Sequence, residues 1–536
     1  PTRPPDDRRA RHETTGEWPG ATFSALLDAR ATETPDRPYL VTASRDGDRT
    51  HTFADLKGRA DRMAVALTTL GVRPGDVVSY QLPNWFEAAA LTCAIDRVGA
   101  LQNPIITIYR EQEVGFACRQ ARSRVLVVPG VVRGVDHREL ARTVQQGATD
   151  LEHVVTVRAQ PLPGQRALEA FEKTPARALG PSPLGPHDVS ALFYTSGTTA
   201  DPKGVLHTPS TLGGMLAGHR AVFGASADER SIIQFPLMHI GGVTMFVLLQ
   251  LRNGSSTVFM DAFDPALAVD LIARHAVTGA GGPPAVLQAL LAAPNFSPEK
   301  MRSVRTSGSG AADVSPELMR MVKERFGALV YRSYGMTECP MITSGRPGDP
   351  EDRLHGTDGR PLPGSTVRIV DEGGLPIGPG VEGELELYGP QLCVGYLDPA
   401  LNAAFTADGF IRSGDLGVMD AGGFVRITGR RKDIIIRKGE NLSAKSIEDD
   451  LAAHPKVADV AVVGVPDRES GERVCACVVL AAATDGLTLA EVRDFMRARG
   501  VMVQKIPEQI EIMAELPRNA TGKVRKDLLR AHLRAR

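Results

Sequence analysis

Tyr194-Thr-Ser-Gly-Thr-Thr-Ala-Asp-Pro-Lys-Gly204 is the stretch on which the fold and chemistry of this chain turn. It follows an apolar run, Ala191 to Tyr194, that reads as a buried strand. Thr195, Ser196, Thr198 and Thr199 supply hydroxyls, Gly197 and Gly204 permit tight backbone curvature, and Lys203 supplies a cation. Such a loop can surround a polyphosphate with donors and offset its charge. It is not a Walker A loop, because Lys203 is followed by Gly204 and Val205 rather than by Ser or Thr. A polar surface turn is the competing reading for the loop alone.

Outward from this loop, short β-rich runs alternate with helical patterns. Strands are expected at Val77 to Leu82, Val125 to Val128, Val154 to Val157 and Thr257 to Met260. Leu56, Ala60, Met63, Leu67 and Leu70 share one helical face, and Gly71 follows as a stop signal. Strands separated by helices predict parallel α/β layers. Residues 350–428 are rich in Gly, Pro and Asp and predict a small antiparallel barrel or sheet, a β-barrel-like subdomain. After Arg430 the order becomes strand, helix, strand, strand, helix, a separate α+β domain over 431–536. There Thr488 and Glu491 are spaced to form a capping box. The predicted class is α/β: a large N-terminal domain over 21–430, a small C-terminal one, and a flexible arm over 1–20.

Composition excludes more than it identifies. The 536 residues carry 62 Lys+Arg and 63 Asp+Glu, a net charge of −1, which argues against bulk attraction to nucleic acid. The most apolar run, Val243 to Leu251, is too short to span a bilayer, and Pro1 to Glu13, Pro- and Arg-rich with no apolar segment behind it, is not expected to be a signal peptide. Six scattered cysteines form neither a disulfide framework nor a zinc pattern. A soluble, cytoplasmic protein is expected. Cys475 and Cys477 are expected to share one face of a strand.

Further motifs follow the loop in order: Tyr334-Gly-Met-Thr-Glu338, Ser413-Gly-Asp415, Gly429-Arg430-Arg-Lys432-Asp433, and Pro517-Arg-Asn-Ala-Thr-Gly-Lys523. With the loop, they resemble the phosphate, adenine and magnesium, ribose, hinge and C-terminal lysine motifs of one superfamily. It is that of the adenylate-forming enzymes: acyl-CoA synthetases, peptide-synthetase adenylation domains and luciferases. The resemblance runs from about residue 20 to 530 and points to the acyl-CoA synthetase branch. It implies two half-reactions. A carboxylate attacks the α-phosphate of ATP, giving acyl-adenylate and pyrophosphate; a thiol, here coenzyme A, then displaces AMP.

The same resemblance implies roles for single residues. Glu338 would hold Mg²⁺, Tyr334 and Gly335 would border the adenine, and Thr337 would reach the α-phosphate. Asp415 would accept from the ribose hydroxyls, Arg430 would complete the ribose and phosphate contacts, and Lys523 would bridge carboxylate and α-phosphate. Lys432 would be the hinge of a mobile C-terminal lid, and Lys438 and Gly439 would border the CoA tunnel. His239 would stand near the substrate carboxylate, with Gly241, Gly242, Gly308, Gly310, Ala311 and Ala312 around the acyl pocket. Taken singly, each has a plainer reading: a turn Asp or Glu, a core Tyr or His, a solvated cation.

Small residues in those pocket segments are expected to leave room, and no Lys or Asp awaits an amino acid's charges. A bulky apolar acid, alicyclic or terpenoid-like, is therefore expected. Two departures stand out. Ala200 replaces a common glycine and Asp201 adds negative charge; a Cβ where φ > 0 is needed would cost about 1 kcal/mol. This motivates one alternative, an enzyme confined to thioester formation from preformed acyl-adenylate. A second alternative is an adenylation enzyme loading a separate carrier protein. The second departure, Ser446 in place of a common Glu, should remove a capping box after Ser443. A homodimer is compatible with the sequence.

Overall fold

A computed structural model describes residues 3–18, 20–44, 47–171, 179–195, 202–310, 314–437, 440–467, 470–482, 484, 486–499, 501–519 and 522–534. Ser196, Gly197, Thr198, Thr199, Ala200, Asp201, Ala311, Ala312, Lys438 and Gly439 lie outside the described residues.

Val77–Tyr80, the centre of the largest sheet, shows why the chain folds as α/β. All four residues are buried, as expected of a strand covered on both faces. It pairs in parallel with Leu101–Pro104 on one side and Ser123–Pro129 on the other. His153–Val157 and Arg166–Ala167 extend the sheet outward, again in parallel. On the opposite side come Ala191–Thr195, Lys203–His207 and Gly395–Tyr396, the last two joined antiparallel. The helix Phe53–Thr69 buries Leu56, Ala60, Met63 and Leu67, with Leu70 at its C-cap, against this layer. Each fully buried Leu or Met contributes about 1.5–3 kcal/mol. Thr52 caps its start, and Gly71 at φ 79° turns the chain out.

A second layer joins Arg230–Ile232, Ser256–Met260, Pro38–Ser44 and Gly47–Thr52. Bridges Ser231↔Gly279 and Gly279↔Thr306 carry it to Thr306–Ser309 and Leu329–Met336. The run expected to be apolar but too short to span becomes a buried helix, Ile240–Val243 and Leu249–Asn253 around a π-helical turn, Thr244–Leu248. No helix among the described residues is long and apolar enough to cross a membrane.

Of barrel or sheet, the 350–428 region takes the sheet: an open four-stranded antiparallel meander, Thr366–Val370, Gly383–Tyr388, Ile411–Met419 and Val425–Arg430. One expectation is corrected. The N-terminal arm is not loose. Asp6–Thr14 is helical, and buried Arg8 donates to the carbonyls of Cys393 (3.0 Å), Gly389 (3.2 Å) and Leu392. The Trp18 indole donates to Pro390 O at 2.9 Å.

The C-terminal residues form a separate unit. Val457–Asp467 and Gly471–Leu480 pair along most of their length, with Glu440–Ser443, Ile434–Arg437 and Gln509–Ile512 completing five strands. Cys475 and Cys477 do share one face, packed with Leu529 and Leu533. The Thr488 capping box is present. Ser443 still caps its helix by accepting from Ser446 N at 3.2 Å, so only the reciprocal bond is lost.

Candidate active site

The N-terminal layers, the meander and the C-terminal unit meet around one cleft of about 1860 Å³. Thr195 and Lys203 enter it from the ends of two antiparallel strands, where they are register partners. The next strand, Gly395–Tyr396, places Tyr396 beside Val205, and the Lys203 ammonium lies 5.8 Å from the Tyr396 ring centroid. The Tyr396 hydroxyl donates to Glu338 Oε1 at 2.7 Å. Glu338 is 4% exposed, so this bond orients a nearly buried carboxylate and leaves its other oxygen for a cleft ligand.

Thr337 is held from behind. His207 Nε2 lies 2.8 Å from Thr337 O, and a carbonyl only accepts, so Nε2 carries the proton. His207 Nδ1 then faces the Thr211 hydroxyl at 3.0 Å. Burial pushes the His207 imidazole down to about 4, keeping it neutral.

Asp415 and Arg430 are register partners on neighbouring strands of the meander. That pairing sets Arg430 Nε 2.8 Å from Asp415 Oδ1, while the Tyr334 hydroxyl donates to Oδ2 at 2.7 Å. Burial, with the Asp415 charge second, raises the Tyr334 phenol well above its ordinary value. It therefore remains a donor, and the Tyr334 ring is fixed against the cleft. Gly335 lines the cleft as well, and a Cβ there would lie 2.3 Å from Met341 N.

Lys523 reaches the cleft from a tight C-terminal loop. Lys523 N donates to Asn519 Oδ1 at 2.9 Å, and Asn519 N returns to Lys523 O at 2.8 Å. Burial, then Arg430, lowers the Lys523 ammonium to about 8. Lys203, Arg430, Lys432 and Lys523 thus face one cleft, an electropositive site suited to a triphosphate. Lys432 stands in the single turn Arg431–Asp433 between meander and C-terminal unit.

His239 caps the helix Ile240–Val243: its Nδ1 accepts from Gly241 N at 3.2 Å. The ring proton is consequently on Nε2, available to a carboxylate oxygen. Burial and the nearby Lys523 charge lower the imidazole to about 4, so it is neutral near pH 7. His239, Gly241, Gly308 and Gly310 all line the cleft.

The expected reason for those glycines is corrected. A Cβ on Gly308 would lie 2.8 Å from the Tyr331 ring, and one on Gly310 would lie 2.5 Å from Ser333 O. Gly242 is not part of the described lining; its Cβ would lie 2.3 Å from Leu237 O. These positions allow close backbone approach, which shapes the walls, rather than leaving room for ligand. Only Gly241 has ordinary clearance, 3.5 Å to His239 Nδ1.

Tyr396 and His207 carry no expectation from the motifs. His207 was detectable, since the strand period puts Lys203, Val205 and His207 on one face. Tyr396 was not, being 58 positions from the carboxylate it holds. No group of three or more His, Cys, Asp or Glu that could hold a metal occurs among the described residues. A lone oriented carboxylate suits Mg²⁺, which takes one or two carboxylates together with substrate phosphates.

Comparison with known proteins agrees with this geometry. Residues 27–397 match the AMP-binding enzyme family and 446–523 match the AMP-binding enzyme C-terminal domain. The salicyl-AMP ligase / salicyl-S-ArCP synthetase of Mycobacterium tuberculosis is 34% identical, over 97% of this chain and 92% of its own. The 3-[(3aS,4S,7aS)-7a-methyl-1,5-dioxo-octahydro-1H-inden-4-yl]propanoyl:CoA ligase of the same organism is 35% identical, over 95% and 98%. ATP-bound MatB from Rhodopseudomonas palustris superposes with a TM-score of 0.86 at 29% identity, covering 95% of this chain and 98% of that one. With a family model spanning most of the chain and two relatives at 34% and 35% identity over nearly its whole length, the chain belongs to the AMP-binding family of adenylate-forming acid–thiol ligases.

Proposed function

We propose that this protein is an AMP-forming acyl-CoA ligase for a bulky, largely apolar carboxylic acid, alicyclic or terpenoid-like. The observation that carries this reading is the convergence of Lys523 and His239 Nε2 on one cleft, between the Asp415–Arg430 pair and an acyl chamber. A substrate carboxylate oxygen attacks the α-phosphorus of ATP; the new O–P bond forms as the bond to the bridging oxygen breaks and pyrophosphate leaves. Lys523 offsets the charge as two anions approach, and His239 orients the carboxylate. Asp415 and Arg430 hold the ribose, and Tyr334 and Gly335 border the base. Glu338, oriented by Tyr396, would hold Mg²⁺, which when bound neutralises phosphate charge. Thr195, Ser196, Gly197, Thr198, Thr199 and Lys203 would cradle the phosphates.

In the second half-reaction the thiol sulfur of coenzyme A attacks the acyl carbonyl carbon and AMP leaves with the electron pair of the broken bond. Lys523 is not needed there. Rotation of residues 431–536 about Lys432 would withdraw it, and Lys438 and Gly439 would border the thiol's path. The placement of Lys523 in the cleft supports the adenylating arrangement. Six free, buried cysteines support a reducing, cytoplasmic setting. The indenyl-propanoyl:CoA ligase supports an alicyclic acid.

One relative's name, salicyl-S-ArCP synthetase, favours a second reading in which the acceptor is a carrier protein. Purified enzyme with a panel of acids decides among these. Pyrophosphate release followed by a thioester on free CoA is expected. Thioester only on a holo-carrier protein would favour the second reading. Thioester only from synthetic acyl-adenylate would favour impaired adenylation, and Ala200→Gly should then raise pyrophosphate release.

A further inference from the structure

His219 lies on the helix Pro209–Phe223, lines the cleft and is 7% exposed. Its Nδ1 is buried without a hydrogen-bond partner. Burial alone lowers the imidazole to about 4, and no charged group acts on it. The ring is therefore neutral, with one donor and one acceptor nitrogen. Nδ1 is enclosed by protein, so the nitrogen open to a ligand in the cleft is Nε2.

The surroundings restrict what that partner can be. The His219 ring packs against Phe223, and Phe223 against Tyr331, each at 4.8 Å between centroids. Tyr331 also lines the cleft and is 7% exposed; burial, with Glu229 second, raises its phenol, so it stays a donor. Nearby along the wall, Phe235 and Phe246 meet edge to face at 5.3 Å. The region is thus apolar and aromatic, with isolated neutral polar points. Of the charged residues lining the cleft, Glu229 acts on Tyr331 and Arg305 acts on Glu229; Glu229 is partly exposed and Arg305 exposed.

We propose that the acyl chamber selects acids bearing an uncharged oxygen substituent, a hydroxyl or a ring carbonyl, remote from the reacting carboxylate, and that His219 is the specificity residue that pairs with it. A carbonyl accepts from Nε2–H; a hydroxyl can pair with Nε2 in either tautomer. The neutral His219 ring itself offers a charged substituent no counter-ion. This sharpens the substrate class and rests on the acid-activating reading above.

The test uses the full chain and alicyclic carboxylic acids of one skeleton carrying a remote ring carbonyl, a remote hydroxyl, or neither. Calorimetry beside a non-hydrolysable ATP analogue reads binding, and pyrophosphate release reads activation. An oxygenated acid should bind about tenfold or more tighter than its deoxy counterpart, because a site built for a hydrogen bond rejects the analogue lacking it. The carbonyl and hydroxyl arms show which oxygen is preferred. His219→Phe should abolish the preference, bringing oxygenated and deoxy acids to within about twofold of each other, and His219→Gln should restore part of it. Equal wild-type affinity for oxygenated and deoxy acids, or equal weakening of both by His219→Phe, would overturn the proposal. The wild-type comparison stands even where the variant does not fold. Selective binding without pyrophosphate release would instead count against the ligase reading.

Discussion

Lys523 is expected to set the alkaline limit of adenylation. Its ammonium is lowered to about 8, burial being the first cause and the Arg430 charge the second. With that value, about 90% of the side chain is charged at pH 7 and about 10% at pH 9. If the ammonium offsets charge between carboxylate and α-phosphate, kcat/KM for ATP in pyrophosphate release should fall roughly ninefold between those pH values, since this parameter reports the free enzyme. The limb in kcat should lie higher, because bound triphosphate favours the charged form. Lys523→Arg should flatten the limb, as guanidinium stays charged. Lys523→Ala should remove the limb and lower adenylation about 10²–10³-fold. Thioester formation from synthetic acyl-adenylate should show neither effect.

Unfolding does not mimic this limb. The folded value lies below the ordinary 10.5, so between about 8 and 10.5 the unfolded chain binds more protons. The Lys523 contribution to stability therefore rises with pH in that window. His239, lowered to about 4, adds no limb between pH 5 and 8. A kcat/KM flat to pH 9.5 in the wild type, or a limb persisting in Lys523→Arg, would refute the assignment.

Other perturbations follow from the same contacts. Tyr396→Phe removes the 2.7 Å bond to Glu338 and should cost about 1.5–3 kcal/mol of carboxylate orientation, seen as a raised Mg²⁺ requirement in pyrophosphate release. An unchanged Mg²⁺ titration would count against the Tyr396–Glu338 link. Gly242→Ala forces a Cβ to within 2.3 Å of Leu237 O and should destabilise by about 1–3 kcal/mol, whereas Gly241→Ala, with 3.5 Å clearance, should be mild in denaturant melts. Arg8→Ala removes a donor from three carbonyls, of which Gly389 O keeps the Leu392 N bond at 3.1 Å, and should lower stability by about 2–4 kcal/mol, with earlier proteolysis of the N-terminal helix.

Local signals account for the parts that were legible in sequence. The helix over Phe53–Thr69 followed from its apolar period and Gly71, and the central strands from short runs such as Val125 to Val128. Barrel and sheet over 350–428 stayed open in sequence because Gly, Pro and Asp announce turns but not whether the first and last strands pair. The loose-arm expectation failed because Arg8 looks solvent-bound until carbonyls some 380 positions away receive it.

The site divides in the same way. The order of the motifs, through their resemblance to the adenylate-forming superfamily, singled out Glu338, Asp415, Arg430 and Lys523. Position in space belonged to tertiary structure alone. Strand register put Arg430 on Asp415, a neighbouring strand put Tyr396 on Glu338, and close backbone approach at Gly242, Gly308 and Gly310 shaped the chamber walls. The His219 side chain was silent in sequence, since a helical histidine becomes a candidate only when packing buries it and leaves a nitrogen without a partner. Residue chemistry is a local property and could be read in order; burial, register and clearance are sums over distant contacts and could not.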